Sequence, residues 1–316
     1  PEDRPPRIKN TLPIMDAFYI ILTGTLVAAT CGLLGVFLIL RKMAMVGDAI
    51  SHAVLPGIVI AFLISGSRDS TFMVLGASLV GIITTFLIEF FTKKGQLQSD
   101  ASIGVTFTWL FAIGVILISA YAGKVDLDQD CVLYGEIAYV PLDVWITGSG
   151  INMGPSALYT IGITFLAVLL FIYLGYRQLF ITTFDEQYAI MLGISSTFWH
   201  YALMSMVSLA TVASFEAVGA ILVIALLIAP PATAYLLTEN FKKMLYLTVI
   251  IGIMVSVSGY YLAVWVNSSI AGAMATTAGI IFGLVFVFSP SEGLFVKWLR
   301  ARKGKNVLQY TNETGN

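Results

Sequence analysis

The sequence predicts an all-α polytopic membrane protein with eight or nine transmembrane helices, and three observations carry that reading. Hydrophobic residues make up 58% of the 316 and charged residues only 11%, whereas a soluble domain carries roughly 25% charged residues. The mean hydropathy is +0.90. Apolar runs of about 20 residues, the length that crosses a bilayer as a helix, recur from one end of the chain to the other. A single transmembrane domain over residues 1–316 accounts for them, with no internal repeat and no second soluble domain. The net charge of -1 argues against nucleic acid as a partner, and membrane lipid surrounds the spans.

The runs lie near 17–40, 43–65, 72–92, 102–122, 155–176, 199–215, 219–238, 244–266 and 270–289. Residues 1–16 open with a polar, proline-rich tail, PEDRPPRIKN, which lacks the pattern of a cleavable signal. The first span would then direct insertion by itself. The stretch 199–238 is too long for one crossing and splits at Glu216 to Gly219. One span plus a re-entrant helix there would give eight crossings rather than nine. Cys31 and Cys131 sit in unlike contexts, so no disulfide framework is expected.

Lys and Arg concentrate on cytoplasmic loops. Arg41/Lys42, Lys93/Lys94, Arg177, Lys242/Lys243 and the tail's Lys297, Arg300, Arg302, Lys303 and Lys305 fall on alternate ends of the nine-helix reading. The N-terminal Arg4, Arg7 and Lys9 would then lie outside, against the trend. Residues 123–154 should face outside and 177–198 the cytoplasm. Residues 290–316 form a cytoplasmic tail.

Asp48 and His52 stand four residues apart in the apolar segment MVGDAISHAVLPGIVIAFLIS, and that spacing puts them on one helix face. An oxygen and an imidazole nitrogen together suit borderline divalent metals. Ionisable groups at membrane depth cost roughly 2.5–3.5 kcal/mol at a helix centre even on lenient scales, and by default mark a substrate pathway. The competing reading is an internal ion pair that locks helix packing. Gly47, Ala49, Ala53 and Gly57 allow neighbouring backbones close. Pro56 cannot donate to the carbonyl of His52 and so frees it. Glu216 is the one other acid well away from the ends of the apolar runs, and is the candidate third ligand; as an interfacial residue it would instead mark a helix end. Asp16 and Glu89 lie near helix ends and can snorkel. His200, the second histidine, reads as structural at the membrane interface.

Other signals are weaker. Asp126, Asp128 and Asp130 alternate in the outer loop but fail the calcium-loop pattern, with Cys131 at the sixth position and Ile137 at the twelfth. They form either a solvated acidic loop, a cation funnel or a docking surface. In FDEQYAIMLGI, Asp185 can cap a short helix through Tyr188, Ala189 and Leu192 that ends at Gly193. Pro230–Pro231 should kink a helix, at a gate or a close helix contact, or simply as a fixed bend, and Pro56–Gly57 marks a second break. No GxxxxGK[ST] loop occurs, so the chain is expected not to hydrolyse ATP. Nor does HExxH, GxSxG or CxxC occur.

At GDAISHAVLPG (47–57) the sequence resembles the permease subunits of bacterial ABC importers for manganese, zinc and iron. The likeness continues at DASIGVTFTWLFAIGVIL (100–117), LDQDCVLYGEI (127–137), FDEQYAIMLGI (184–194) and ASFEAVGAILVIALLIAPPATAYLLT (213–238). It therefore spans nearly the whole chain in order. It implies a multi-pass permease of the bacterial cytoplasmic (inner) membrane, paired with a second permease copy or paralogue. Two cytoplasmic ATP-binding subunits and an extracellular or periplasmic metal-binding protein would complete the importer. It also implies that 184–194 is the helix that couples to the ATPase, with Ala189, Leu192 and Gly193 matching the A-x-x-L-G pattern. By the same resemblance Asp48 and His52 belong to the metal path. No cofactor would be held permanently: the metal is cargo, Mn2+ first and Zn2+ or Fe2+ as alternatives. The glutamate at 216 and the 127–137 loop both look manganese-like, and carboxylate oxygen suits Mn2+. Because the ligands must lose protons to bind metal, transport should weaken at low pH. An ion-coupled secondary transporter using the pair as a proton relay is the reading from a different class; it calls for inverted repeats.

Overall fold

A computed structural model describes residues 14–65, 70–122, 137–146 and 152–289. The acidic outer loop with Asp126, Asp128, Asp130 and Cys131, the first thirteen residues and the tail from Pro290 lie outside the described residues. Among those described, nine helices are long and apolar enough to cross a membrane. The first is α1 (Ile14–Leu40). The second crossing is two helices, α2 (Met45–Ala53) and α3 (Leu55–Ser65). Then follow α4 (Ser70–Lys93), α5 (Ser99–Leu117), α6 (Ser156–Phe184), the short α7 (Glu186–Met191), α8 (Ser196–Val218), α9 (Ala220–Leu237), α10 (Phe241–Val266) and α11 (Ile270–Phe288). A π turn, Ile118–Ala122, extends α5. The sequence reading lacks one detail, a two-stranded antiparallel hairpin of β1 (Val144–Ile146) and β2 (Asn152–Pro155) ahead of α6.

Helix starts are written locally. The side chains of Asp185, Ser195, Asn240 and Ser269 accept hydrogen bonds from backbone N–H groups in the first turns of α7, α8, α10 and α11, as good N-caps do. Asn267 ends α10 in the left-handed region at φ 57, the C-cap alternative to glycine. Buried hydroxyls find partners within their own helix: Thr30, Thr84, Thr106, Thr211, Thr248 and Ser256 each donate to the carbonyl four residues back. Hydrocarbon offers no water to do this for them.

Small residues set the packing. α1 runs through the centre with α9 and α10 against it. A Cβ on Gly35 would collide with the Leu227 carbonyl oxygen and with Pro231 of α9, and one on Gly32 with Thr248 of α10. Pro231 has no N–H to give the Leu227 carbonyl, and that carbonyl is the group turned toward Gly35. The diproline therefore serves a close helix contact. It does not break α9, which runs unbroken past Pro230 and Pro231, both buried. The second close crossing is α3 on α4, where a Cβ on Gly57 would strike the Gly76 carbonyl oxygen.

The basic chain ends gather at one end of the bundle, as the alternating charge pattern requires. Arg41 reaches Thr182 and Thr183 at the end of α6 and His200 at the start of α8. Phe37 and Phe184 meet Phe241 edge-on, next to Lys242. By the charge rule this end is cytoplasmic. Ser289 Oγ donates to the Leu236 carbonyl at 2.6 Å, so α9 and α11 finish there too. α1 has 27 residues and α9 18, a difference of roughly 13 Å at 1.5 Å per residue. The α8–α9 joint at Gly219, with φ 81, therefore turns back below the outer end of α1.

Candidate functional site

The second crossing is where the polar pair sits, and it breaks at Val54. The Val54 N–H still bonds to Ile50 and the Ile58 N–H to Val54, but Pro56 between them supplies no donor. The break falls immediately after the turn that carries Asp48 and His52. The sequence located the irregularity through Pro56.

On α2, Val46, Gly47, Ala49, Ile50, Ser51 and Ala53 are buried. The two ionisable side chains are not: Asp48 keeps 33% and His52 39% of side-chain exposure. They share a face that the protomer leaves open. His52 Nε2 stands 3.7 Å from Asp48 Oδ1, outside hydrogen-bond reach. A single ion could touch both at ordinary ligand distances of roughly 2.0–2.2 Å. The imidazole lies against two rings of α5, Phe107 at 5.8 Å and Phe111 at 6.3 Å between centroids, which restrict its rotation. On the opposite side, a Cβ on Gly47 would overlap Leu227, and Ile50 lies over Gly81 of α4 beside Ser208 of α8. α2 is thus cradled by α4, α5, α8 and α9 with one polar face free.

Glu216 is exposed in the last turn of α8, just before the Gly219 joint. It does not complete a cluster: among the described residues no group of three or more His, Cys, Asp or Glu could hold a metal. Asp48 and His52 come together, and among the described residues no third acidic ligand joins them.

The predicted surface helix forms as α7. Asp185 Oδ1 accepts from the Tyr188 N–H at 2.9 Å, and Gly193 takes φ 74, while the Ile194 N–H returns to the Ala189 carbonyl at 2.9 Å. Ala189 is fully buried, and Tyr188, Ile190, Met191 and Leu192 are exposed. This six-residue helix therefore turns an apolar surface outward at the cytoplasmic end.

Sequence reasoning missed a polar network at that same end. Glu89 does not snorkel: its carboxylate is 12% exposed and pairs with Lys93 one turn later. Its Oε2 faces His200 Nε2 at 3.6 Å, with His200 17% exposed. Arg41 donates to Thr183 Oγ1 at 3.1 Å and to Thr182 Oγ1 at 2.9 Å, and stands 3.5 Å from His200 Nδ1. Burial pulls the Arg41 guanidinium down to about 10, with the Glu186 carboxylate acting against it, so it stays charged at neutral pH. The one local signal for this network was Glu89 four residues before Lys93, a helical ion-pair spacing.

A bundle of membrane spans with a carboxylate–imidazole pair on a broken helix, open on one face, and a capped helix at its basic end defines a multi-pass membrane transport protein. More narrowly, the chain belongs to the ABC 3 transport family, whose profile matches residues 15–289. It is 49% identical to the manganese transport system membrane protein MntD of Bacillus subtilis, over 89% of this chain and 95% of that protein. To the zinc transport system membrane protein TroD of Treponema pallidum it is 43% identical, over 90% of this chain and 77% of that protein. Its fold is similar to that of PsaBC from Streptococcus pneumoniae, solved in complex with Fab. The TM-score is 0.72 at 31% identity, covering 90% of this chain and 94% of that one.

Proposed function

We propose that this chain is the permease subunit of an ATP-binding-cassette importer of the bacterial cytoplasmic membrane, carrying a divalent transition metal, Mn2+ first, past Asp48 and His52. The observation that carries the reading is the pair itself: two ligand side chains 3.7 Å apart, half-open on a helix whose other residues beyond Met45 are buried. A locked internal ion pair would be closer and covered. The manganese name of the 49% identical relative supports Mn2+, and the zinc name of the 43% identical one keeps Zn2+ as the second reading. Fe2+ is the third, since the protein of Haemophilus influenzae named "probable iron transport system membrane protein" is 30% identical.

ATP hydrolysis belongs to two partner subunits that dock on α7 through Tyr188, Ile190, Met191 and Leu192, with Asp185 and Gly193 holding the helix ends. A second permease copy or paralogue covers the open face of α2. A metal-binding protein delivers the ion from outside, and Glu216, near the outer apex of the α8–α9 hairpin, is a waypoint above the pair. Asp48→Asn and His52→Ala are expected to abolish uptake of radioactive Mn2+ while the importer still assembles. Normal metal accumulation in either variant would remove the pair from the path. Metal-stimulated ATP hydrolysis by the reconstituted importer, compared among Mn2+, Zn2+ and Fe2+, decides the cargo.

A further inference from the structure

We propose that Arg41, with His200 and Glu89, forms the link that carries displacement of α7 to the metal-bearing helix α2; the inference rests on the reading of α7 as the ATPase docking helix. α7 hangs between the end of α6 and the start of α8, and Arg41 holds both. Its Nε and one terminal nitrogen donate to Thr183 and Thr182 of α6 at 3.1 and 2.9 Å. The other terminal nitrogen meets His200 Nδ1 of α8 at 3.5 Å. Arg41 itself opens the short turn into α2, seven residues ahead of Asp48. In that turn Lys42 takes φ 59, a region that side-chain-bearing residues seldom occupy. One guanidinium thus joins the two helices that flank the docking helix to the segment that positions the polar pair.

The connection from α7 to α8 is tight. Ser196 Oγ donates to Glu186 Oε1 at 2.9 Å, and Ser195 caps α8 through the Phe198 N–H. His200 sits one turn further on, so a shift of α7 moves it. A guanidinium only donates, so Nδ1 of His200 accepts and Nε2 carries the proton toward Glu89 of α4. That second contact is incompletely made: Nε2 and Glu89 Oε2 are 3.6 Å apart, and neither has a hydrogen-bond partner among the described residues. Buried donors and acceptors left unpaired cost free energy, so a closed arrangement in which Nε2 and Oε2 meet offers a gain that a small helix shift can release. Further along the same interface Ile50 of α2 lies over Gly81 of α4 and Ser208 of α8, with Ser208 Oγ donating to the Ser78 carbonyl. Closing the Glu89–His200 gap re-seats the groove in which α2 rests.

The test uses the importer reconstituted in vesicles with its ATP-hydrolysing and metal-binding partners. Radioactive Mn2+ uptake and phosphate release are read in the same sample. Arg41→Gln and His200→Ala are expected to assemble and to hydrolyse ATP, while ions carried per ATP fall by about tenfold or more, the scale of an energetic coupling between sites. Arg41→Lys keeps the charge but lacks the fork, and is expected to fall with them. An unchanged ratio in an assembled variant, whether both rates are normal or both drop together, overturns the proposal. If those variants fail to assemble, Glu89→Gln, which keeps size and hydrogen bonding, is judged by the same ratio. Asp48→Asn is run alongside: retained uptake there defeats the metal path and leaves the ratio at Arg41 to decide this inference separately.

Discussion

At the scale of single residues, the close helix crossings make the sharpest prediction. A Cβ at Gly57 lands on the Gly76 carbonyl oxygen, which cannot rotate away, whereas Gly104 and Gly162 have nothing within 4 Å. Overpacking of this kind costs about 1–3 kcal/mol, while an unopposed glycine-to-alanine change inside a helix gains up to about 1 kcal/mol. Gly57→Ala should therefore lower the thermal stability of the detergent-solubilised protein, and Gly104→Ala and Gly162→Ala should leave it equal or higher. Equal melting for all three would mean that the α3–α4 crossing has slack. The sequence pointed to Gly57 because small residues cluster around Asp48. It could not point to Gly35, whose partner Leu227 lies in another helix nearly two hundred residues away. The Arg41–His200–Glu89 network was hidden for the same reason. Each member looks like an ordinary helix-end residue, and only tertiary packing brings three separate ends together.

Elements were legible wherever the signal was local. The Asp185 cap and the Gly193 stop defined α7 from the sequence because capping is a matter of neighbours in the chain. The break in the second crossing followed from Pro56 for the same reason. The diproline was legible in part: a gate and a close helix contact were both open from the sequence, and α9 continues through the two prolines with Pro231 packed against Gly35 of α1. A six-residue helix has too few turns to persist by itself, so α7 depends on its caps. Asp185→Ala removes the bond to the Tyr188 N–H, at a cost of about 1 kcal/mol. Gly193→Ala puts a side chain at φ 74, at about 1–2 kcal/mol. Both are expected to speed amide hydrogen exchange at Tyr188 and Ala189, with little change in the spans. On the outer surface of the helix, Met191→Asp places a charge in the proposed docking face and should prevent co-purification of the ATP-binding subunits. Undiminished co-purification would move the docking surface elsewhere.

For the whole molecule, hydropathy and the charge pattern narrowed the crossings to eight or nine, because both register the bilayer rather than any particular partner, and among the described residues nine helices are long and apolar enough to span. The arrangement of ligands around a passing ion depends on which faces meet, and among the described residues Glu216 forms no three-residue group with Asp48 and His52. Asp48 and His52 supply two ligand atoms, no third acid or imidazole joins them among the described residues, and their face of α2 stays open. Two protein ligands hold a divalent ion weakly unless other groups complete its shell, and the permease copy proposed to cover α2 would supply them. The isolated chain in detergent should therefore bind Mn2+ at least about tenfold more weakly than the assembled importer does, a difference of about 1.4 kcal/mol. Asp48→Asn in the assembled form should abolish the difference. Titration of both forms with Mn2+ at one pH measures it. Equal affinities would mean that a single protomer completes the ion's shell by itself, through water or backbone carbonyls such as the one Pro56 frees at His52. Tighter binding only in the assembled form would make the open face of α2 the seam along which the ion crosses.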